Sequence, residues 1–125
     1  MSLLLDTQAL LWFLSAPDRL HRDTRRRIES PTETVYVSVV SAWEIELKRA
    51  LGKLKAPHDL EDQMKDLRFT ELPIHLRHVR ALSHLPNLHR DPFDRMLVAQ
   101  AQTDRLILVT SDEQVLAYPV RTLRA

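Results

Sequence analysis

Short apolar runs of strand length alternate with stretches of helix length along this chain, and that alternation constrains its fold more than any other feature. Residues 3–5 are a continuous apolar run, as a strand buried on both faces requires. Residues 34–40 are dense in β-branched side chains, and 106–109 form a second plainly buried run. Shorter candidates lie at 69–72 and 120–123. Helices are expected over about 8–15, 18–29 (after Pro17), 41–51, 57–67, 73–85, 92–104 and 112–117. Gly52 is placed to end the third of these in a left-handed cap. Strands separated by helices re-enter one sheet in the same direction. An α/β fold is therefore expected, with a central, mainly parallel twisted sheet covered on both faces.

Composition narrows the chemistry. A chain of 125 residues with 44% hydrophobic and 28% charged residues is expected to form one domain over 1–125. It has no Cys, which excludes disulfides, thiolate metal sites and thiol catalysis. Its single glycine excludes the P-loop and the glycine-rich dinucleotide fingerprint. The net charge of +1 gives no global steering, but 14 of the 18 basic residues are Arg, which suits planar contacts to phosphate and carboxylate. The apolar stretch near the start is interrupted by Asp6, with no basic residue ahead of it, unlike a signal peptide. No run approaches the roughly 20 apolar residues of a membrane helix, so a cytoplasmic protein is expected.

Four acids stand where strand-like runs give way to helix-like ones: Asp6, Glu44, Asp94 and Asp112. In a parallel sheet all strands present their carboxyl ends at one edge, where ligands bind. Asp6, Glu44 and Asp112 each follow an apolar run and should converge there. Asp94 opens a helix that leads back into the sheet. Four carboxylates gathered in one place repel unless a cation joins them, and hard oxygen donors suit Mg²⁺ or Mn²⁺. Each acid also has a purely structural reading. Ser41 and Glu44 form a capping box, Asp91 caps a helix with Pro92 at its first position, and Thr7 and Ser111 cap the helices beside Asp6 and Asp112. Acids in a first helical turn also favour the dipole by about 0.3–1 kcal/mol.

Other polar residues divide in the same way. Thr7 and Ser111 serve as caps or bond to phosphate or to a metal's water. Arg90 and Arg95 flank Asp94 and are candidates for phosphate contacts, with Arg95 alternatively paired to Asp91 one turn back. Asp91 is expected as a cap that also supports the site. The arginines over 19–27 read as an RNA track or as a solvated helix face. His75, His78, His84 and His89 lack any zinc signature such as HExxH, and there is no GxSxG elbow for a serine hydrolase.

The stretches LLLDTQALLWFL, VSVVSAWEIELK, HRDPFDRMLVAQA and LILVTSDEQV together resemble the PIN-domain ribonucleases, in particular the toxin half of VapBC toxin–antitoxin pairs. The resemblance is most specific at DPFDRML and at the opening LLDT. It implies a three-layer α/β/α PIN-like fold and cleavage of RNA with one or two Mg²⁺ or Mn²⁺ ions. It places the family's four acids on Asp6, Glu44, Asp94 and Asp112. Asp6 and Asp94 would then ligate directly, Glu44 directly or through water, and Asp112 through water. A homodimer and an antitoxin partner are implied as well. Trp12, Phe13 and Trp43 would either dock an amphipathic helix of that partner or fill the core. Two other classes compete: a catalytically inactive RNA- or protein-binding module of the same shape, and a doubly wound phosphatase. The phosphatase needs DxD after the first strand, whereas Gln8 stands two residues beyond Asp6.

Overall fold

The computed structural model of the protein describes residues 2–125. Its elements run β1 (Leu3–Leu5), α1 (Thr7–Ser15), a single 3-10 turn (Pro17–Arg19), α2 (Arg22–Glu29), β2 (Val35–Ser38) and α3 (Val39–Ala50). They continue with α4 (Leu60–Asp66), β3 (Thr70–Leu72), α5 (Leu76–Leu82), α6 (Pro92–Asp104), β4 (Ile107–Thr110), α7 (Glu113–Leu116) and β5 (Thr122–Arg124). The strands pair in the order β3-β2-β1-β4-β5, and every pairing is parallel. Leu4 stands opposite Tyr36 on one side and Leu108 on the other. Strand order therefore reverses at β1: the chain winds outward through β2 and β3, then crosses to β4 and β5.

Alternation along β1 builds the two covering layers. Leu4 packs with Val40, Phe93, Leu97, Val98 and Leu108 on one face of the sheet. Leu3 and Leu5 pack with Leu10, Ile28, Val37, Ile45 and Val109 on the other. All three β1 residues are fully buried. Trp12 and Phe13 are half-buried against the second layer, whereas Trp43 is 58% exposed. The result is a three-layer α/β/α arrangement around an all-parallel sheet.

Several boundaries differ from the sequence expectation for identifiable reasons. The helix expected over 18–29 is broken, because Leu20 turns extended (φ −74°, ψ 147°) and places its side chain in the core. α2 then resumes with Thr24 and Ile28 buried. The strand expected over 34–40 stops at Ser38, whose hydroxyl accepts from the Val40 amide at 3.0 Å and so starts α3 two residues earlier than the β-branched run suggests. Ser38 also donates to the buried Gln100 at 2.6 Å. A local cap thus outweighs the strand preference of Val39 and Val40. Ser41 consequently lies inside α3 rather than at its cap, and there is no Ser41–Glu44 capping box. The caps beside Asp6 and Asp112 are also reassigned. Asp6 caps α1, accepting from the Ala9 amide, with Thr7 as the first helical residue. Asp112 caps α7, accepting from the Gln114 amide, rather than Ser111. α6 has the predicted bounds, with Asp91 as N-cap and Pro92 in its first turn.

α5 is shorter than expected and is held by the histidines. The His75 amide donates to His78 Nδ1 at 3.0 Å, so His78 carries its proton on Nε2, which meets Asp104 at 2.9 Å. Arg77 binds the same carboxylate through two bonds. His78 is completely buried and ties α5 to the end of α6, a structural role.

Candidate active site

In a sheet whose order reverses at β1, the crevice lies beyond the carboxyl ends of β1 and β4. Asp6 follows β1 directly, and Asp112 comes two residues after β4. The helices run back against the strands, so the N-terminal turns of α3 and α6 open at the same edge. That brings in Glu44 from α3 and Asp94 from the first turn of α6. All four acids line one cleft of about 340 Å³, together with Thr7, Gln8, Leu11, Lys48, Asp91 and Ser111. A larger hollow of about 470 Å³ beside α3 and α4 is walled by Leu60, Met64 and Phe69 and holds none of the four. Chemistry rather than size distinguishes the smaller cleft.

The four acids sit in unequal surroundings. Asp6 and Glu44 are buried, at 6% and 5% exposure. Burial pushes the Asp6 carboxyl up to about 6, aided by Glu44 and Asp112 and opposed by bonds from the Ala9 amide and the Thr110 side chain. Burial, then the charges of Asp91, Asp6 and Glu44, push Asp94 up to about 7, while His89 draws it down. Burial first, and neighbouring carboxylates second, thus favour the protonated form of both carboxyls. Glu44 has both oxygens engaged: Thr7 donates to Oε1 at 2.6 Å, and Lys48 Nζ reaches Oε2 at 2.5 Å. The bond to Glu44 raises the Lys48 ammonium in turn. A divalent cation suits this donor set. It is all hard oxygen at the four acids, and a cation would relieve the repulsion that adds to burial at Asp6 and Asp94.

The PIN-domain family profile matches residues 3–120. The chain belongs to the PIN-domain family. Its fold is shared by solved complexes at low identity. VapBC from Salmonella typhimurium bound to DNA matches with a TM-score of 0.72 at 16% identity, covering 98% of this chain and 97% of that one. VapBC2 from Rickettsia felis, bound to a DNA fragment of its promoter, matches at 0.69 and 14%, covering 98% of each. A toxin–antitoxin complex from Klebsiella pneumoniae matches at 0.68 and 18%, covering 98% and 97%. Among curated proteins no sequence match was found.

Two groups that bond the acids of this PIN domain's cleft were not assigned to it from the sequence. His89 Nε2 lies 2.9 Å from Asp94 Oδ2 and 3.2 Å from Asp112 Oδ2, and these three residues form a group with spacing suitable for a metal. Reading the histidines together as a zinc question hid it; the usable signal was its place two residues before the Asp91 cap, where the chain folds back over the first turn of α6. Lys48 follows Glu44 by one helical turn, and that spacing was visible. Among the flanking candidates, Thr7 bonds both Ser41 and Glu44 inside the cleft wall. Asp91 and Ser111 line it, and Arg90 is exposed. Arg95 does not pair with Asp91. Its guanidinium binds the Pro86 carbonyl at 2.9 Å and the Tyr118 hydroxyl at 3.0 Å, because α6 turns it toward the loop before the helix.

Proposed function

We propose that this PIN domain is a metal-dependent ribonuclease that uses Mg²⁺ or Mn²⁺ and acts as the toxin of a toxin–antitoxin pair. One observation carries the reading: Asp6, Glu44, Asp94 and Asp112 converge in a single cleft where burial and mutual repulsion raise Asp6 and Asp94. Asp6 and Asp94 would hold the ion, with Asp112 reaching it through water. Thr7 and Lys48 fix the two oxygens of Glu44 and leave each a lone pair for the ion or for the attacking water. A divalent ion, when bound, would acidify that water and offset the charge that grows on the phosphoryl oxygens. Ser111, which lines the cleft, and the exposed Arg90 would meet RNA phosphates, with Asp91 supporting Asp94 from the cap, whereas Arg95 is committed to the Pro86 carbonyl and the Tyr118 hydroxyl and holds the loop instead.

The partner reading rests on chemistry and on likeness. An acidic cleft is a receptor for an inhibitory Arg or Lys, and structures of this fold occur in VapBC complexes. A homodimer fits the exposed apolar stripe of Trp43 and Leu47 on α3 and Leu51 at its C-cap. Among the described residues no helix is long and apolar enough to cross a membrane; the proposed site of action is the cytoplasm.

The test is direct. Purified protein should cleave RNA with Mg²⁺ or Mn²⁺ and stop in EDTA; undiminished cleavage in EDTA removes the metal from the reaction. Expression alone should slow growth, and coexpression with an antitoxin encoded just upstream should restore it. RNase activity in vitro without toxicity in the cell leaves a nuclease with a housekeeping substrate. A folded protein with neither activity is the inactive binding module.

A further inference from the structure

We infer that His89 is a positioning residue: its Nε2–H clamps Asp94 and Asp112 together and so sets the affinity of the cleft for its ion. The inference rests on the reading of that cleft as a divalent-metal site. Asp94 and Asp112 belong to different elements, α6 and the β4–α7 junction, and no backbone bond couples their side chains. Asp112 Oδ1 is committed to the Gln114 amide, while Oδ2 meets His89. Among the described residues, His89 is the one side chain that bonds both Oδ2 atoms.

The donor role follows from how the ring is held. The Asp91 amide points at His89 Nδ1 at 3.4 Å, so Nδ1 accepts and the proton sits on Nε2, between the two carboxylates. The main chain of the residue is fixed too. Its amide donates to the Tyr118 hydroxyl at 2.9 Å, and the same hydroxyl accepts from Arg95, which in turn binds the Pro86 carbonyl. The loop over residues 86–91 is thereby pinned at its start and at its end, and the imidazole has little freedom to swing away. Direct ligation by Nε2 would require a proton on Nδ1, facing the Asp91 N–H donor to donor. The geometry therefore favours a hydrogen-bond clamp over a nitrogen ligand. Removing the clamp leaves Asp94 and Asp112 free to move apart, and an ion must then reassemble them. Partners that orient metal ligands typically change affinity by about 10–100-fold when removed.

The experiment compares Mn²⁺ binding by the wild-type protein, His89→Ala and His89→Gln, followed through the electron paramagnetic resonance of free Mn²⁺. Circular dichroism in EDTA checks the fold of each. His89→Ala should raise the Kd by about 10–100-fold, and His89→Gln, whose amide N–H reaches into the same gap, should restore most of that loss. In the wild-type protein, long-range ¹H–¹⁵N spectra should show the Nε2–H tautomer before and after Mg²⁺ is added, a readout that needs no variant to fold. Pulsed spectra of the Mn²⁺ complex should lack the nitrogen coupling of a bound imidazole. Wild-type affinity in His89→Ala, equal losses in both variants, an Nδ1–H tautomer or a nitrogen coupling would each overturn the inference. A wild-type protein that binds no Mn²⁺ overturns the metal reading itself, and the clamp falls with it.

Discussion

At the residue scale, two aspartates three positions apart do different work. Asp91 accepts from the amides of Phe93 and Asp94 and caps α6. Asp94 makes no cap bond; its carboxylate turns into the cleft, where His89 meets it at 2.9 Å. Asp94→Asn keeps the size and removes the charge, so the fold should persist while RNA cleavage falls by orders of magnitude. Asp91→Ala should lower stability by about 0.5–2 kcal/mol, the usual cost of a lost cap, and keep most of the activity. Urea denaturation alongside an RNase assay separates the two. The reverse pattern would mean that the roles are exchanged. The cap reading of Asp91-Pro92 was legible because proline at the first helical position is a local signal. The inward turn of Asp94 was not, because it depends on α6 lying over the carboxyl edge of β1.

At the element scale, α3 carries Glu44 and Lys48 into the cleft, and both of its ends are set by local chemistry. Ser38 starts it. At its end, Gly52 at φ +70° lets its own amide bond the Arg49 carbonyl and the Lys53 amide bond the Lys48 carbonyl. A Cβ added at Gly52 would meet nothing within 4 Å, so the cost of Gly52→Ala is backbone strain alone. That strain should amount to about 1 kcal/mol by urea denaturation, with metal binding unchanged. A larger loss of metal affinity would show that the end of α3 is coupled to Glu44 and Lys48. The glycine stop was readable from one residue. The start was misread because the β-branched run 34–40 favours a strand throughout, and only the Ser38 hydroxyl, placed beside Gln100, cuts it short. The reassigned caps at Asp6 and Asp112 share a cause: each acid sits at the strand–helix junction itself, so a residue that lines the cleft also caps a helix with one carboxylate oxygen.

At the scale of the whole molecule, the fold concentrates negative charge that it must then tolerate. Asp94 is raised to about 7 by burial and by Asp91, Asp6 and Glu44, with His89 opposing. An unfolded aspartate titrates near 3.9. Without metal, the folded state therefore keeps a proton that the unfolded state has already lost, and stability attributable to this group falls as pH rises from about 4 through 7. In EDTA, the wild-type protein should lose stability relative to Asp94→Asn between pH 5 and pH 8, measured as the difference between their urea midpoints. Saturating Mn²⁺ should reverse the difference, since an ion at 100 times its Kd adds about 2.7 kcal/mol to the state that binds it. A wild-type protein that gains on the variant as pH rises in EDTA would contradict the buried, mutually repelling arrangement.

The sequence by itself determined the class of fold and the edge at which the chemistry gathers. Apolar runs of strand length separated by helices can bury their polar backbone in few ways, and a parallel sheet puts every strand-end acid on one side. That reasoning placed Asp6, Glu44 and Asp112 in common, and the DPFD stretch added Asp94. Only the tertiary structure decided which groups answer those acids. Lys48 answers Glu44 from one turn along the same helix, but His89 reaches Asp94 and Asp112 through contacts that require α6, the β4–α7 junction and the loop over residues 86–91 to be packed together, and a histidine's partner is not written in its neighbours along the chain. Sequence spacing governs what lies on one face of one element; the balance of charge in a cleft is set by several elements meeting, and packing alone brings them to hydrogen-bond distance.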